Sequence, residues 1–318
     1  MALLSAFLRL IRWPNLLFIG LTQVLFYYLV IVPSFAPQGI PVRLHPAMLV
    51  LLTLSSILIA AAGYIINDYF DLNIDRFNKP DRLVVEKVIK RRSAILWHWF
   101  LSGIGVVLGI YISWKLRNPI IGIANIACVI LLWFYSTTFK RKLLIGNVII
   151  SLLTAWVILV LYVCEFRLGS LGDHAYRVIL GRIFKYAIVY SGFAFIISLI
   201  REVVKDIEDM AGDQRYGCRT MPIVWGVNVA KVFTATWLVV LISALAVLQF
   251  YFLPRFYSVP RAQWIMIAYG ILFIDLPLLW ILRKLYYVQS KPDYHRLSGV
   301  IKGVMLAGIL SMALLIFQ

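Results

Sequence analysis

In this chain of 318 residues, 62% are hydrophobic and only 14% charged, against about 25% charged in an ordinary soluble domain. A water-soluble globule is therefore excluded. A net charge of +17 would point to nucleic acid in a soluble chain, but here the basic residues flank apolar runs and anchor them to membrane lipid, so no nucleic-acid partner is expected.

The first apolar run follows Arg9 and Arg12 and reaches about Val32 with no small-residue cleavage site after it. It reads as a retained first span rather than a removable leader, since about 20 apolar residues cross the hydrocarbon core. Eight further runs follow, giving spans at 15–33, 46–66, 95–114, 119–138, 144–163, 183–203, 224–249, 262–282 and 298–317. Lipid offers no partner to backbone N–H and C=O groups, so each run should be a helix. A β-barrel would need short alternating strands, and none are visible. The N-terminus and even-numbered connections carry 22 of the 31 Lys and Arg residues and the opposite side carries 9. That bias puts the N-terminus in the cytoplasm and, after nine spans, the C-terminus outside. No linker divides the chain, so residues 1–318 form one transmembrane domain. Gly105 and Gly109, four apart, mark a face for close helix packing. Three cysteines are too few for a disulfide framework, and Cys128, inside a span, reads as an apolar filler.

Two connections on the cytoplasmic side hold ten of the 14 acidic residues. After span two come Asp68, Asp71, Asp75, Asp81 and Glu86; after span six come Glu202, Asp206, Glu208, Asp209 and Asp213. Asp68, Asp71 and Asp75 are separated by three and four residues, and so are Asp206, Asp209 and Asp213. On a helix continued past the membrane surface, that spacing stacks three carboxylates on one face, where they repel one another. A hard divalent cation relieves the repulsion, and Mg²⁺ binds through one or two carboxylates plus substrate phosphates. Two facing clusters would hold two or three such ions around a diphosphate, whose departure they would assist. Solvated loops also carry charges, but two matched clusters on one side, at the mouths of apolar helices, favour a site.

Lys79, Arg82, Arg201, Lys205, Arg215 and Arg219 lie in or beside the clusters, and Lys140 and Arg141 follow span four. Each suits a phosphate as well as it suits interfacial anchoring. Asn15 either orients a substrate or caps span one. Asp275, within span eight beside Pro277, is a functional candidate because it is ionisable inside the membrane; bonding to a backbone group freed by the proline is the alternative. The four histidines lack metal-ligand spacing.

The run NDYFDLNID, Asn67 to Asp75, and the run KDIEDMAGD, Lys205 to Asp213, resemble the two signatures of the UbiA superfamily of intramembrane prenyltransferases. The segment YSTTFKR, Tyr135 to Arg141, fits as well. The resemblance implies an all-α integral membrane fold, nine transmembrane helices around a central cavity with a cytoplasmic cap, in pseudo-repeated halves at roughly 1–140 and 141–318. It implies Asn67, Asp68, Asp71, Asp75, Asp206, Asp209 and Asp213 as ligands of Mg²⁺ and diphosphate. It implies Arg82, Lys140 and Arg201 as diphosphate-binding positions, and Asn15, Asn67 and Lys205 join them as substrate-binding candidates by their placement. The stretch IDRFNKPDR, Ile74 to Arg82, taken with REVVKDIEDMAGD, is most similar to the branch that adds a second geranylgeranyl chain to geranylgeranylglyceryl phosphate through an ether bond. Chlorophyll synthases share a related first motif. Where the branch would have a Pro-Ile-Pro-Ser-Gly-like run after Arg82, this chain has Leu83-Val84-Val85-Glu86-Lys87. A multi-pass protein of a prokaryotic inner membrane is expected.

The implied reaction draws diphosphate from a prenyl donor, geranylgeranyl diphosphate above all, to leave an allylic cation. Tyr69, Phe70 and Tyr135 are candidates to shield it, and a low-water cavity protects it. The acceptor is a lipid phosphate or, alternatively, an aromatic quinone precursor. A transporter would place its charges near the midplane on broken helices; these acids gather at one rim.

Overall fold

The computed structural model describes residues 2–78, 83–170, 172–252 and 260–317. Among them nine helices are long and apolar enough to span a membrane, the number expected from the apolar runs. A short helix α1 (Ala2–Leu10) precedes span α2 (Trp13–Gln38), and α3 (Pro46–Phe70) follows. A short helix, α4 (Leu72–Asn78), leads to spans α5 (Arg91–Lys115), α6 (Pro119–Thr137) and α7 (Ile145–Glu165). Spans α8 (His174–Arg215), α9 (Val227–Phe252), α10 (Gln263–Tyr287) and α11 (Lys291–Ile316) complete the bundle.

The apolar runs located the spans, but several helices outlast them. Span six, expected at 183–203, is a 42-residue helix capped at its start by Asp173, whose carboxylate accepts from the N–H groups of Ala175 and Tyr176. An apolar window sees only the lipid-facing middle of such a helix, whereas the backbone ladder continues through its polar ends. Among the described residues three spans loosen to π turns, at Tyr27–Ile31, Leu248–Phe252 and Ile271–Asp275, the first and last ahead of Pro33 and Pro277. A proline removes a backbone donor, and a wider turn re-aligns the ladder around it.

Small and polar residues bring the spans together. Ser55 on α3 donates to the Gly105 carbonyl on α5 at 2.7 Å, and Asn125 on α6 donates to Ser55 Oγ at 3.0 Å. A side chain at Gly109 would meet Asn125 Nδ2 at 1.9 Å, so only glycine admits this three-helix contact. The close-packing face expected at Gly105 and Gly109 is therefore in use. At the far rim from the acidic clusters, the fully buried Glu165 ends α7. Its two carboxylate oxygens accept from the backbone N–H groups of Arg43 and Leu44, each at 3.0 Å, fixing the α2–α3 connection to α7.

Asp275 does not take the backbone partner expected beside Pro277. It accepts a hydrogen bond from Gln249 Nε2 at 2.7 Å, away from the central cavity. The side-chain amide one helix away, invisible to local sequence, holds its Oδ2, while its Oδ1 is buried without a hydrogen-bond partner among the described residues.

Candidate active site

A cavity of about 800 Å³ runs into the bundle. Its lining includes Asn67, Asp68, Asp71 and Asp75 from the first motif and Asp206, Asp209 and Asp213 from the second. Asn15, Lys140, Arg201 and Lys205 line it too. The structure thus brings together the expected metal ligands and substrate-binding residues except Arg82, which, with Lys79 and Asp81, lies outside the described residues; the other basic candidates Arg141, Arg215 and Arg219 do not line the cavity. Deeper, the lining turns apolar, with Phe18, Trp156, Phe193, Ile197, Met305 and Met312 among its side chains. A polar mouth above a greasy interior suits an amphiphile with a charged head.

The two motifs reach the cavity differently. The second lies wholly within α8, so Asp206, Asp209 and Asp213 occupy one continuous helix, as their spacing requires. The first does not. Helix α3 stops at Phe70, Asp71 stands at its C-cap with ψ −2°, and α4 restarts at Leu72. The i−4 bonds nevertheless persist across the bend, Asp71 N–H to Asn67 O at 2.9 Å and Asp75 N–H to Asp71 O at 2.8 Å. At the bend, the Asp71 carboxylate accepts from Asn67 Nδ2 at 2.7 Å and from the Lys140 ammonium. The Lys140 contact comes from outside the motif, which spacing alone did not reveal.

Each cluster has its own counter-charges. Arg12 Nη2 donates to Asp68 Oδ1 at 2.7 Å. Burial disfavours the Arg12 charge, but Asp68, with Tyr64, outweighs it and raises the guanidinium pKa above its usual value. Lys140 follows the same order of causes: burial lowers, then Asp71 and Tyr135 raise, and the net shift is upward. Both groups therefore stay charged at physiological pH. On α8, Glu202 accepts from Lys205 at 2.9 Å and Arg201 at 3.3 Å. Asp206 accepts from Asn147 Nδ2 at 2.8 Å, and Glu208 pairs with His295 at 3.0 Å.

The motifs are tied to each other as well. Asn78, ending α4, donates from Nδ2 to the Asp209 carbonyl at 2.9 Å, and its own carbonyl accepts from Lys291 Nζ at 2.8 Å. Gly212 faces Asn78 so closely that an added Cβ would fall 2.4 Å from its amide nitrogen.

Among the described residues, no three His, Cys, Asp or Glu side chains converge into a self-sufficient metal cage. The carboxylates of the two motifs are instead spread around a shared volume. That arrangement still fits Mg²⁺, which retains waters and takes few protein ligands beside substrate phosphate. Asn67 supplies a specific sign of fit: its Oδ1 is buried and accepts no hydrogen bond, leaving an oxygen suited to a hard cation.

Several lining residues had no signal in the motifs. Arg12, His295 and Lys302 come from distant parts of the chain and reach the cavity only in three dimensions, and Asn147 meets Asp206 from beside it. Glu202 stood in the second cluster without an assigned role. Of the three aromatic candidates, Tyr135 lines the cavity. Tyr69 instead lies under Arg91 at 4.9 Å, and Phe70 packs on Trp133 at 5.8 Å, because both point away from the cavity face of α3. Asn15 is no helix cap: Arg12 stands at that position, and Asn15 donates to Tyr64 Oη at 3.3 Å. Cys128, expected as filler, lines the cavity.

Nine spans around an acid-rimmed, apolar-floored cavity define a class, and residues 25–305 match the model of the UbiA prenyltransferase family. The chain belongs to that family. It is 32% identical over 255 residues, 80% of its own length and 82% of the relative's, to a digeranylgeranylglyceryl phosphate synthase of Methanosphaera stadtmanae. A solved structure described as a digeranylgeranylglyceryl phosphate synthase in membranes superposes with a TM-score of 0.62 at 25% identity, covering 98% of this chain and 99% of that one. A UbiA homologue from Archaeoglobus fulgidus, solved with DMAPP and Mg²⁺, shares the fold with a TM-score of 0.57 at 15% identity, covering 96% and 99%.

Proposed function

We propose that the protein transfers a prenyl group, geranylgeranyl by preference, from its diphosphate to geranylgeranylglyceryl phosphate. An ether bond forms and diphosphate is released. The observation that carries this reading is the convergence of both acidic motifs, from separate helices, on one cavity whose depth is apolar. The 32% identity to the Methanosphaera stadtmanae synthase supports the choice of acceptor.

Asn67, Asp68, Asp71, Asp75, Asp206, Asp209 and Asp213 would hold Mg²⁺, which when bound neutralises charge developing on the leaving diphosphate. Lys140 and Arg12 sit at the first motif, Arg201 and Lys205 at the second, and together they orient the diphosphate oxygens. Tyr135, close to both motifs, turns an aromatic face to the developing allylic cation. The apolar floor holds the prenyl chain and keeps water from the cation. The acceptor hydroxyl oxygen then bonds to the allylic carbon and loses its proton. We place the N-terminus and the cavity mouth in the cytoplasm, from the distribution of basic residues.

The test is purified protein in bilayers, offered geranylgeranyl diphosphate and Mg²⁺ with geranylgeranylglyceryl phosphate or with aromatic acceptors. Mass spectrometry should find the double ether. Product with an aromatic acceptor alone would overturn the acceptor and keep the chemistry.

A further inference from the structure

Six Lys and Arg side chains line the cavity: Arg9, Arg12, Lys140, Arg201, Lys205 and Lys302. Four have carboxylate partners, Arg12 on Asp68, Lys140 on Asp71, and Arg201 and Lys205 on Glu202. Arg9 is exposed on α1. Lys302 is different. It is half-buried on α11, inside a span. Its Nζ lies 5.2 Å from the Phe18 ring centroid, and among the described residues it makes no hydrogen bond or ion pair.

The position of Lys302 matters. It follows His295 by seven residues, two helical turns, so both side chains share a face and Lys302 lies about 10 Å further along the axis. His295 meets Glu208 at the level of the second motif. Beyond Lys302 the same helix presents Met305, Ile309 and Met312 to the cavity. Lys302 therefore marks the boundary between the carboxylate-rich mouth and the apolar depth. Arg201 lines the same cavity, and its Nε is buried without a hydrogen-bond partner.

An ammonium inside a span with no counter-charge is costly, and such groups mark substrate pathways. The diphosphate already has a place between the two motifs, with Lys140 and Arg12 beside it. A second anion at the polar–apolar boundary would belong to another amphiphile. We infer that Lys302 forms a subsite for the phosphate monoester of the lipid acceptor, beside the Arg201 guanidinium, which the two anions share. The inference rests on the proposed reaction and adds where the acceptor's head is held and by what. It also makes Lys302 a specificity residue, since an aromatic acceptor without a phosphate gains nothing from it.

The experiment uses the full chain in bilayers and compares wild type with Lys302→Gln and Lys302→Arg. Calorimetric binding of geranylgeranylglyceryl phosphate is measured without donor. Turnover follows, with geranylgeranyl diphosphate and either the phosphorylated acceptor or its dephosphorylated alcohol. K302Q should weaken binding of the phosphorylated lipid, and raise its KM, by about tenfold. The donor KM should stay within about twofold, and K302R should recover most of the binding. Preference for the phosphorylated over the dephosphorylated acceptor should fall by about the same tenfold.

A shift confined to the donor KM would overturn the inference and assign Lys302 to diphosphate. Unchanged binding and unchanged preference would overturn it and leave Lys302 as a packing residue on Phe18. Wild type that binds the phosphorylated lipid through Lys302 yet forms no product would uphold the subsite and refute the proposed reaction. Wild type that forms product equally well with K302Q would do the reverse.

Discussion

Replacing Gly212 by alanine tests how the two acidic motifs are held in register. An alanine Cβ at this position would lie 2.4–2.5 Å from the amide atoms of Asn78, too close for any contact. Asn78 must swing away and give up its 2.9 Å bond to the Asp209 carbonyl. Overpacking of this kind costs about 1–3 kcal/mol, and the lost hydrogen bond about 1 kcal/mol more. Alanine's helix propensity returns about 1 kcal/mol, so the net destabilisation should be roughly 1–3 kcal/mol. Activity should suffer more. Displacing α4 moves Asp75 relative to the second motif, and an error of about 1 Å in a reacting constellation can cost about 10²-fold. Gly192 is the control, lying on the same helix with nothing within 4 Å of an added Cβ. Thermal unfolding in detergent and turnover in bilayers would be measured for G212A, G192A and the double variant N78A/G212A. The double variant should recover the overpacking term but not the hydrogen bond, a non-additivity expected of residues in contact. If G212A matched G192A in both stability and turnover, the proposed coupling of the motifs through Asn78 would be wrong.

Lys140→Met removes the ammonium from Asp71, whose side chain is only 6% exposed. Breaking a buried pair this way can cost about 3–5 kcal/mol, lessened here by the Asn67 bond that remains, and turnover should fall at least about 10²-fold; K140R should keep more of both. Glu165→Leu leaves the N–H groups of Arg43 and Leu44 without their acceptor, so unfolding should be easier by about 2–4 kcal/mol, while kcat at the opposite rim stays within about twofold. Chelation with EDTA should stop turnover, and added Mg²⁺ should restore it better than Ca²⁺, whose larger and looser coordination suits a different cage.

The apolar runs disclosed all nine spans because lipid imposes one solution on the backbone, and the paired Asp spacings disclosed the acidic half of the site. What stayed hidden was relational. Arg12 reads as an anchoring residue beside the first span until Asp68 is seen 2.7 Å away. Asn147 is an ordinary polar residue in an apolar run until it meets Asp206. The corner at Asp71 was illegible because it is formed with Lys140, 69 residues later. Tyr69 and Phe70 were misjudged for a simpler reason: adjacency to a motif does not fix which face of a helix a side chain shares. Asp275 looked functional by its charge alone, and its Gln249 partner lies on another span.

The central claim is that both acidic motifs act on one diphosphate in one cavity. Its most direct test is Mg²⁺-dependent binding of geranylgeranyl diphosphate, measured by calorimetry on folded Asp71→Asn and Asp209→Asn proteins. The account predicts that each substitution alone abolishes Mg²⁺-dependent binding and turnover while the thermal transition is retained. Wild-type binding and turnover in either variant would contradict it, leaving that motif outside the reaction.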